Sequence, residues 1–350
     1  MTSALPIQKN VSLKAWNTFG IEAIANTYLR IDHFAQLQSL AADAELKKRP
    51  RFILGGGSNI ILPDQLDALV LHIALQGKTL LKEDDEFVYV RAAAGENWHQ
   101  FVQWTLAQGW GGLENLSLIP GTVGAAPIQN IGAYGAEIKD HFFQLTAFDL
   151  NSGETRILDR DACQFAYRDS VFKHAYRDNW VILDVSFALP KKWRANLRYA
   201  DLAQRCAAQG LRNPTPTDIS ALIIALRQSK LPDPALLGNA GSFFKNPLVS
   251  AVQRDALLAK FPDLVSYPQD DGRYKLAAGW LIERSGWKGK RVGSVGVYDK
   301  QALVLVNHGG ASGSEVRAFA QQVQDAVWQQ FAVVLEVEPI FVEPRISIRI

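Results

Sequence analysis

The stretch IPGTVGAAPIQNIGAYG, at residues 119–135, decides how the rest of this chain is interpreted. Glycine and proline recur through it too often for a helix, and it is too apolar for a disordered linker. Long ordered loops of this kind usually serve a function. We therefore expect residues 119–135 to wrap around a ligand, although an irregular structural loop is the alternative that this stretch alone leaves open.

A second glycine-rich stretch, GGGSN at residues 55–59, follows a short apolar segment that predicts a buried strand. Consecutive glycines let backbone N–H groups approach a phosphate, and Ser58 and Asn59 add polar contacts. The stretch matches neither a Walker loop nor GxGxxG, so a P-loop or Rossmann site is not supported. A tight turn is the alternative, but two such loops in one chain suit a long ligand with two phosphates and a ring system.

The bulk composition restricts the class of protein. The chain has 350 residues, a net charge of +2 and two cysteines, which lack CxxC spacing. Nucleic-acid binding has no electrostatic support, and neither a disulfide framework nor a zinc site is indicated. The first residues lack the apolar run of a signal peptide, and no uncharged apolar stretch approaches the ~18 residues that cross a bilayer. We expect a cytoplasmic protein with no metal and no membrane or nucleic-acid partner.

Hydrophobic periodicity on its own predicts an α+β protein with mixed sheets. Helices are predicted at residues 33–48 with Asp32 as the cap, at 97–107, from 218 onwards, and at 276–284. Ser312 and Glu315 have the spacing of a capping box that opens another helix. Residues 335–342 predict a final strand. A composition shift predicts a domain boundary near residues 214–232.

The motif YRDSVFK, at residues 167–173, concentrates cationic and aromatic side chains. Arg168 could clamp a carboxylate or a phosphate through two parallel hydrogen bonds. An ion pair between Arg168 and Asp169 at the end of a strand is the alternative.

The motif LEVE, at residues 335–338, places Glu336 and Glu338 on the same face of a strand in an apolar setting. Desolvation raises the pKa of such a carboxylate and suits it to proton transfer. An acid at a sheet edge is the alternative. His308, in the sequence NHGG, is better interpreted as part of a loop between strand and helix than as a catalytic histidine.

The motif NAGSFFKNP, at residues 239–247, contains a serine in an unusual setting. Gly241 gives Ser242 a flexible backbone, and polar side chains follow it. The motif is not GxSxG, and no nearby His–Asp pair offers itself as a base. Ser242 is therefore a candidate for a role other than that of a nucleophile.

Taken together and in this order, these motifs resemble the UDP-N-acetylenolpyruvoylglucosamine reductase (MurB) family. KLPDP at residues 230–234 and KLAAGWLIE at 275–283 add to the resemblance, which extends from about Trp16 to Glu338. The chain looks like the longer type of the family, which carries an extra tyrosine-bearing loop, and Tyr199 in LRYADL fits that tyrosine.

The resemblance implies an FAD-binding fold of the vanillyl-alcohol oxidase type, with two α+β subdomains, followed by a C-terminal α+β substrate-binding domain. This replaces the general expectation of mixed sheets. The implied domains are a first FAD-binding subdomain at residues 1–75, completed by a C-terminal strand at 333–350, a second at 76–228, and the substrate-binding domain at 229–332.

The resemblance also implies the chemistry, a hydride relay in peptidoglycan precursor synthesis. NADPH reduces FAD, the UDP-sugar then displaces the spent cofactor, and the hydride passes to the enolpyruvyl double bond to give UDP-N-acetylmuramate. Negative charge develops at the α-carbon and its carboxylate, where each well-placed donor is worth on the order of 3 kcal/mol. We expect a monomer that uses FAD as cofactor, NADPH as co-substrate and a UDP-sugar as substrate.

The matching positions carry the implied roles. Arg168 and Glu338 match residues that stabilise this charge, and Ser242 matches the proton donor to the α-carbon. The matching substrate contacts are Tyr167, Tyr199, Lys230 and Asn246. The two glycine loops supply the expected cofactor contacts, which are Gly55, Gly56, Gly57, Ser58, Asn59, Ile119, Pro120, Gly121, Thr122, Gly124, Gln129, Asn130, Gly132, Ala133, Tyr134 and Gly135.

One position departs from the family pattern. Glu338 is followed by Pro339 and Ile340, where the family commonly has Val-Arg. Proline lacks a backbone N–H, so the strand should lie at an edge or an end there. Two other classes of protein are alternatives to the reductase: another flavin oxidoreductase of the same fold, such as an oxidase, and a flavin- or nucleotide-sugar-binding protein without activity. The trio Arg168, Ser242 and Glu338 argues against both.

Overall fold

The computed structural model describes residues 5–345, so the ends of the predicted domains at residues 1–4 and 346–350 lie outside the described residues. The first sheet has four strands, in the order Gln8–Ser12, Ile24–Ile31, Gln65–Ile73 and Arg51–Leu54. Its last three strands are parallel, whereas Gln8–Ser12 is antiparallel to its neighbour. The helix Phe34–Ala42 joins two of the parallel strands, as such a connection requires.

The first glycine loop begins where Arg51–Leu54 ends, at one edge of the first sheet. Directly after the loop, the short strand Ile60–Ile61 pairs in parallel with Ile340–Phe341. The C-terminal part of the chain therefore returns to the first glycine loop, which places the LEVE motif beside it.

The second sheet has five antiparallel strands, in the order Thr155–Asp159, Phe142–Asp149, Trp180–Pro190, Phe87–Ala93 and Lys78–Glu83. The helix Trp98–Ala107 packs on it, and the fully buried rings of Trp98 and Phe101 both contact Phe187. The helix starts at Asn97, whose side chain accepts a hydrogen bond from the Gln100 N–H.

The C-terminal part contains a third sheet, in the order Gly238–Ser242, Val304–Asn307, Val295–Val297 and Arg291–Val292. A three-stranded ribbon of Leu248–Val249, Tyr274–Leu276 and Ser266–Pro268 lies next to it in the chain. The helices here are Ala251–Lys260, Ala278–Arg284 and Gly313–Phe331. The predicted capping box is confirmed, because the Ser312 hydroxyl accepts from the Glu315 N–H.

The segment predicted as a domain boundary is largely helical. The helix Pro216–Lys230 packs with the helix Ala200–Ala208 in a small apolar cluster of its own. Its Ser220 hydroxyl lies 2.8 Å from that of Ser117 and accepts a hydrogen bond from Gln103. These buried contacts tie the segment to the N-terminal part of the chain, so it is not a free linker.

Several predicted elements differ in their bounds from those in the structure, and the helix predicted from 218 onwards begins at Pro216. The helix predicted at 33–48 is two helices, Phe34–Ala42 and Ala44–Lys47, and its N-cap is His33 instead of Asp32. The helix predicted at 276–284 begins at Ala278, because Leu276 pairs in the ribbon. The strand predicted at 335–342 is assigned only at Ile340–Phe341, directly after the proline that cannot donate to a ladder.

The strand Gln65–Ile73 carries a buried histidine. His72 is only 5% exposed; its Nδ1 lies 2.6 Å from the Tyr28 hydroxyl, and its ring packs on Trp16. Burial lowers the pKa of His72 to about 4, and the charge of Arg30 acts in the same direction. The neutral ring therefore holds Trp16 beside the glycine loop.

The buried His72 predicts a loss of stability in mild acid. The unfolded chain takes up a proton below pH 6.5, but the folded chain does so only near pH 4. Stability from this group is complete above 6.5 and falls by roughly 3 kcal/mol as the pH drops to 4. Thermal unfolding across this range should show a weaker pH dependence in His72→Gln, which keeps an acceptor for Tyr28. An unchanged dependence would assign the acid lability to other groups.

Within residues 5–345, no helix combines the length and the apolar character needed to cross a membrane.

Candidate active site

The two glycine loops lie against each other. A side chain at Gly56 would come within 2.8 Å of the Gly121 Cα, and one at Gly121 within 2.7 Å of the Ser58 hydroxyl. A side chain at Gly57 would meet the Trp16 carbonyl oxygen at 2.0 Å. Only glycine permits this approach. The backbones of both loops, free of side chains at these positions, therefore face the same region.

Residues 119–135 are ordered by short elements of their own. Val123–Gln129 forms a 3-10 helix, and Gly132–Ala133 pairs with Ala136–Glu137 in a tight hairpin. Asn59 donates to the Gln129 side chain at 2.6 Å, which connects the first loop to the second. The predicted cofactor residues therefore come together in one region.

Arg168 and Glu338 meet across the site, although 170 positions separate them. The Arg168 Nε atom lies 3.0 Å from Glu338 Oε1, and both side chains are largely buried. The distance is that of an ion pair, but the N–H does not point at the oxygen, so within residues 5–345 this nitrogen has no hydrogen-bond acceptor. Arg168 can thus still donate to a substrate anion.

Backbone pairing places Ser242 beside Glu338. The Glu338 N–H donates to the Phe243 carbonyl, Phe244 bridges to Val337, and the Lys245 N–H donates to Glu336. Ser242 itself pairs with Val304 after an irregularity in the strand, and Gly241 has a φ of +70°. The NAGSFFKNP and LEVE motifs therefore run side by side, with the serine directly before the paired segment.

Tyr167 closes another side of the same site. The Lys275 ammonium lies 4.2 Å from the centre of the Tyr167 ring, a cation–π distance. Burial raises the pKa of Tyr167 and lowers that of Lys275, since both groups are charged only at a desolvation cost. Asn246 accepts from the Ala278 N–H at 2.9 Å, so its side chain is held by the start of a helix.

A second polar group forms around Lys230. Its ammonium donates to the Tyr199 hydroxyl at 3.2 Å and to Asp201, and the Tyr199 ring packs on Tyr134 at 5.0 Å. Burial acts against the charge, but the hydrogen bonds to Asp201 and Tyr199 outweigh it and raise the pKa of Lys230. Lys230 is therefore a cation at neutral pH, as a contact to a diphosphate requires.

Comparison with known proteins finds relatives over nearly the whole chain. A family model for the FAD binding domain matches residues 25–159, and one for the C-terminal domain of UDP-N-acetylenolpyruvoylglucosamine reductase matches residues 233–342. The UDP-N-acetylenolpyruvoylglucosamine reductase of Paraburkholderia phymatum is 54% identical over 96% of this chain and 98% of its own length. That of Pseudomonas aeruginosa is 53% identical over 96% and 99%.

The chain belongs to the UDP-N-acetylenolpyruvoylglucosamine reductase family. A crystal structure of the reductase (MurB) from Thermus caldophilus superposes with a TM-score of 0.68 at 22% identity, covering 97% of this chain and all of that one. The fold is thus α+β, with an FAD binding domain followed by the family's C-terminal domain, as the resemblance implied. The domain boundaries given above stay predictions.

The residues of this family member fit FAD. Two crowded glycine loops offer backbone N–H groups to a diphosphate. Two buried polar atoms, Thr18 Oγ1 and Arg227 Nε, have no hydrogen-bond partner within residues 5–345. Burial lowers the pKa of Arg227, although a hydrogen bond with Tyr134 opposes this. The Arg227 Nε, which lacks an acceptor within residues 5–345, is therefore suited to a buried anion beside the second loop.

Sequence reasoning missed several members of this reductase site. Lys275 opens the quoted motif KLAAGWLIE but received no role, and Asp201 follows Tyr199 by two residues. Arg227 had a usable signal, because it stands one helical turn before Lys230 and therefore on the same face. Lys173 closes the YRDSVFK motif and was noted only for its charge.

Proposed function

We propose that this chain reduces the enolpyruvyl group of UDP-N-acetylglucosamine enolpyruvate to give UDP-N-acetylmuramate, in peptidoglycan precursor synthesis. FAD is the cofactor and NADPH the hydride source. The observation that carries this proposal is the meeting of Arg168 and Glu338 at 3.0 Å, beside the strand that ends at Ser242. The chain works as a monomer in the cytoplasm, in cell wall biogenesis and hence in cell growth and division.

Bound FAD supplies the hydride chemistry, and the residues of the chain control the charge that results. Hydride addition to the β-carbon leaves negative charge on the α-carbon and its carboxylate. Arg168 donates to that carboxylate, and Glu338, 3.0 Å from the Arg168 Nε, completes the polar group around it. Donors fixed in advance where charge develops lower the barrier without reorganising during the reaction.

Ser242 then gives its hydroxyl proton to the α-carbon. A neutral serine stays protonated at neutral pH, which makes it a poor nucleophile but a ready donor to a strongly basic carbon. Ser242 follows an irregularity in its strand and Gly241, whose φ is positive. Both features set the direction of the Ser242 side chain at the end of that strand. This role needs no histidine, in agreement with the absence of a His–Asp pair from the motif.

The UDP part of the substrate extends toward the second polar group. Lys230 and Tyr199 bind the diphosphate. Before the substrate arrives, the Lys230 ammonium is held in position by Asp201 and Tyr199. Tyr167 and Asn246 bind the sugar between this group and Arg168. The cation at Lys230 and the aromatic wall of Tyr199 suit a nucleoside diphosphate sugar.

The test is a steady-state assay with purified protein. NADPH oxidation should depend on UDP-N-acetylglucosamine enolpyruvate and should yield UDP-N-acetylmuramate, and denaturation should release FAD. An enzyme that oxidises NADPH at the same rate without the UDP-sugar, with oxygen as acceptor, would be an oxidase and would overturn the proposal. A colourless protein that cannot be reconstituted with FAD would overturn every flavoenzyme interpretation.

A further inference from the structure

Arg168 is held in an unusual backbone conformation. It is the third residue of a tight turn in which the Asp169 N–H donates to the Ala166 carbonyl at 3.3 Å. Its φ is +56°, in the left-handed region that suits glycine. A residue with a side chain keeps such a conformation only where its surroundings fix it, and these positions concentrate at functional sites.

The carbonyl oxygen of Arg168 accepts a hydrogen bond from the Lys173 ammonium at 2.8 Å. Lys173 ends a short 3-10 helix that starts after Ser170, and the Ser170 hydroxyl donates to the Ile128 carbonyl in the second glycine loop. The ammonium therefore fixes the arginine backbone from a segment that is itself anchored to the loop.

The surroundings of Lys173 are consistent with a dedicated role. Within residues 5–345 it forms no ion pair, and its ammonium donates to the Arg168 carbonyl. Burial lowers the pKa of Lys173, and the neighbouring charge of Lys245 adds to this effect; Asp169, Glu336 and Glu338 face it and oppose the effect. Burying an ammonium group costs free energy. A buried lysine that donates to one backbone oxygen therefore indicates that this hydrogen bond has a structural purpose.

We propose that Lys173 is a positioning residue for the reductase reaction, which locks the left-handed turn and so aims the Arg168 guanidinium at the substrate carboxylate. This inference rests on the proposed function. Without the lock, Arg168 relaxes toward negative φ, and its side chain leaves the direction of Glu338. Misplacing a catalytic group by about 1 Å can cost on the order of 100-fold in rate.

The test is a double-mutant cycle on the flavin-loaded enzyme. Lys173→Met keeps the length of the side chain and removes the donor. It should slow oxidation of the reduced flavin by UDP-N-acetylglucosamine enolpyruvate on the order of 100-fold, with reduction by NADPH preserved. In an Arg168→Ala background the same change should cost less than about twofold, because no guanidinium remains to be aimed. Lys173→Arg, which keeps a donor, should recover part of the rate.

Lys288→Met is the matched control, since it removes an exposed lysine that is paired with Glu283. It should leave the rates unchanged. Equal losses in both backgrounds, or no loss at all, would overturn the inference. A crystal structure of Lys173→Met gives a readout that does not depend on activity. Arg168 should move to negative φ there, and an unmoved turn would overturn the inference. If the wild-type enzyme does not reduce the UDP-sugar, the proposed function fails and this structure alone decides the role of Lys173.

Discussion

Ser242→Ala is expected to leave reduction of the bound flavin by NADPH nearly unchanged, while turnover of the enolpyruvyl substrate falls roughly 100- to 10,000-fold. This loss of rate is typical of an enzyme that lacks its general acid. The two half-reactions differ in their response because of where the Ser242 hydroxyl lies. It lies where the strand turns toward Glu338, and only the second half-reaction creates a carbon that needs a proton.

Rapid mixing without oxygen separates the two half-reactions. The flavin spectrum follows reduction by NADPH in one experiment and reoxidation by the UDP-sugar in another. Ser285→Ala is the matched control, because it removes a half-buried hydroxyl that donates to the Leu281 carbonyl one helical turn earlier. Equal slowing of both half-reactions by Ser242→Ala would contradict proton donation and indicate general damage to the site.

Gly57→Ala is expected to abolish stable flavin binding. The new methyl group would stand 2.0 Å from the Trp16 carbonyl oxygen, and the φ of +60° strains any residue with a side chain. The strain costs about 1–2 kcal/mol, and displacing backbone adds about 1–3 kcal/mol. Relieving this clash is expected to shift the neighbouring Gly56, which packs against Gly121 of the second loop.

Gly210→Ala separates the conformational strain of the positive φ from the steric clash with Trp16. Gly210 has nearly the same φ, +67°, but a methyl group there would meet nothing within 4 Å. It should therefore show the conformational strain alone, with a slightly lower unfolding temperature and full flavin content. A Gly57→Ala protein that retains its flavin and unfolds like Gly210→Ala would show that the loop contact is not essential.

The sequence predicted the local features of this molecule well. The strand before GGGSN, the capping box at Ser312 and the strand end at Pro339 all depend on neighbouring residues, and the structure contains each of them. The helix at 276–284 was placed too early because its first residue belongs to the ribbon, a pairing with Ser266 that no local pattern reveals.

The site was predictable only as a set of motifs. Each motif marks a segment that requires an unusual backbone conformation or a charged side chain. For this reason the resemblance identified most of the site residues. Contacts between motifs stayed hidden, since Lys275 is far along the chain from the Tyr167 ring that it covers. The left-handed turn at Arg168 was also invisible, because a positive φ is normally signalled by glycine or asparagine.

The measurement that tests the central claim most directly is a single turnover in deuterium oxide. Enzyme reduced with one equivalent of NADPH is mixed, without oxygen, with UDP-N-acetylglucosamine enolpyruvate, and the product is examined for its label. The account predicts immediate return of the oxidised flavin spectrum and UDP-N-acetylmuramate that carries solvent deuterium at the α-carbon. A flavin that stays reduced until oxygen enters, or an α-carbon without solvent deuterium, would contradict it.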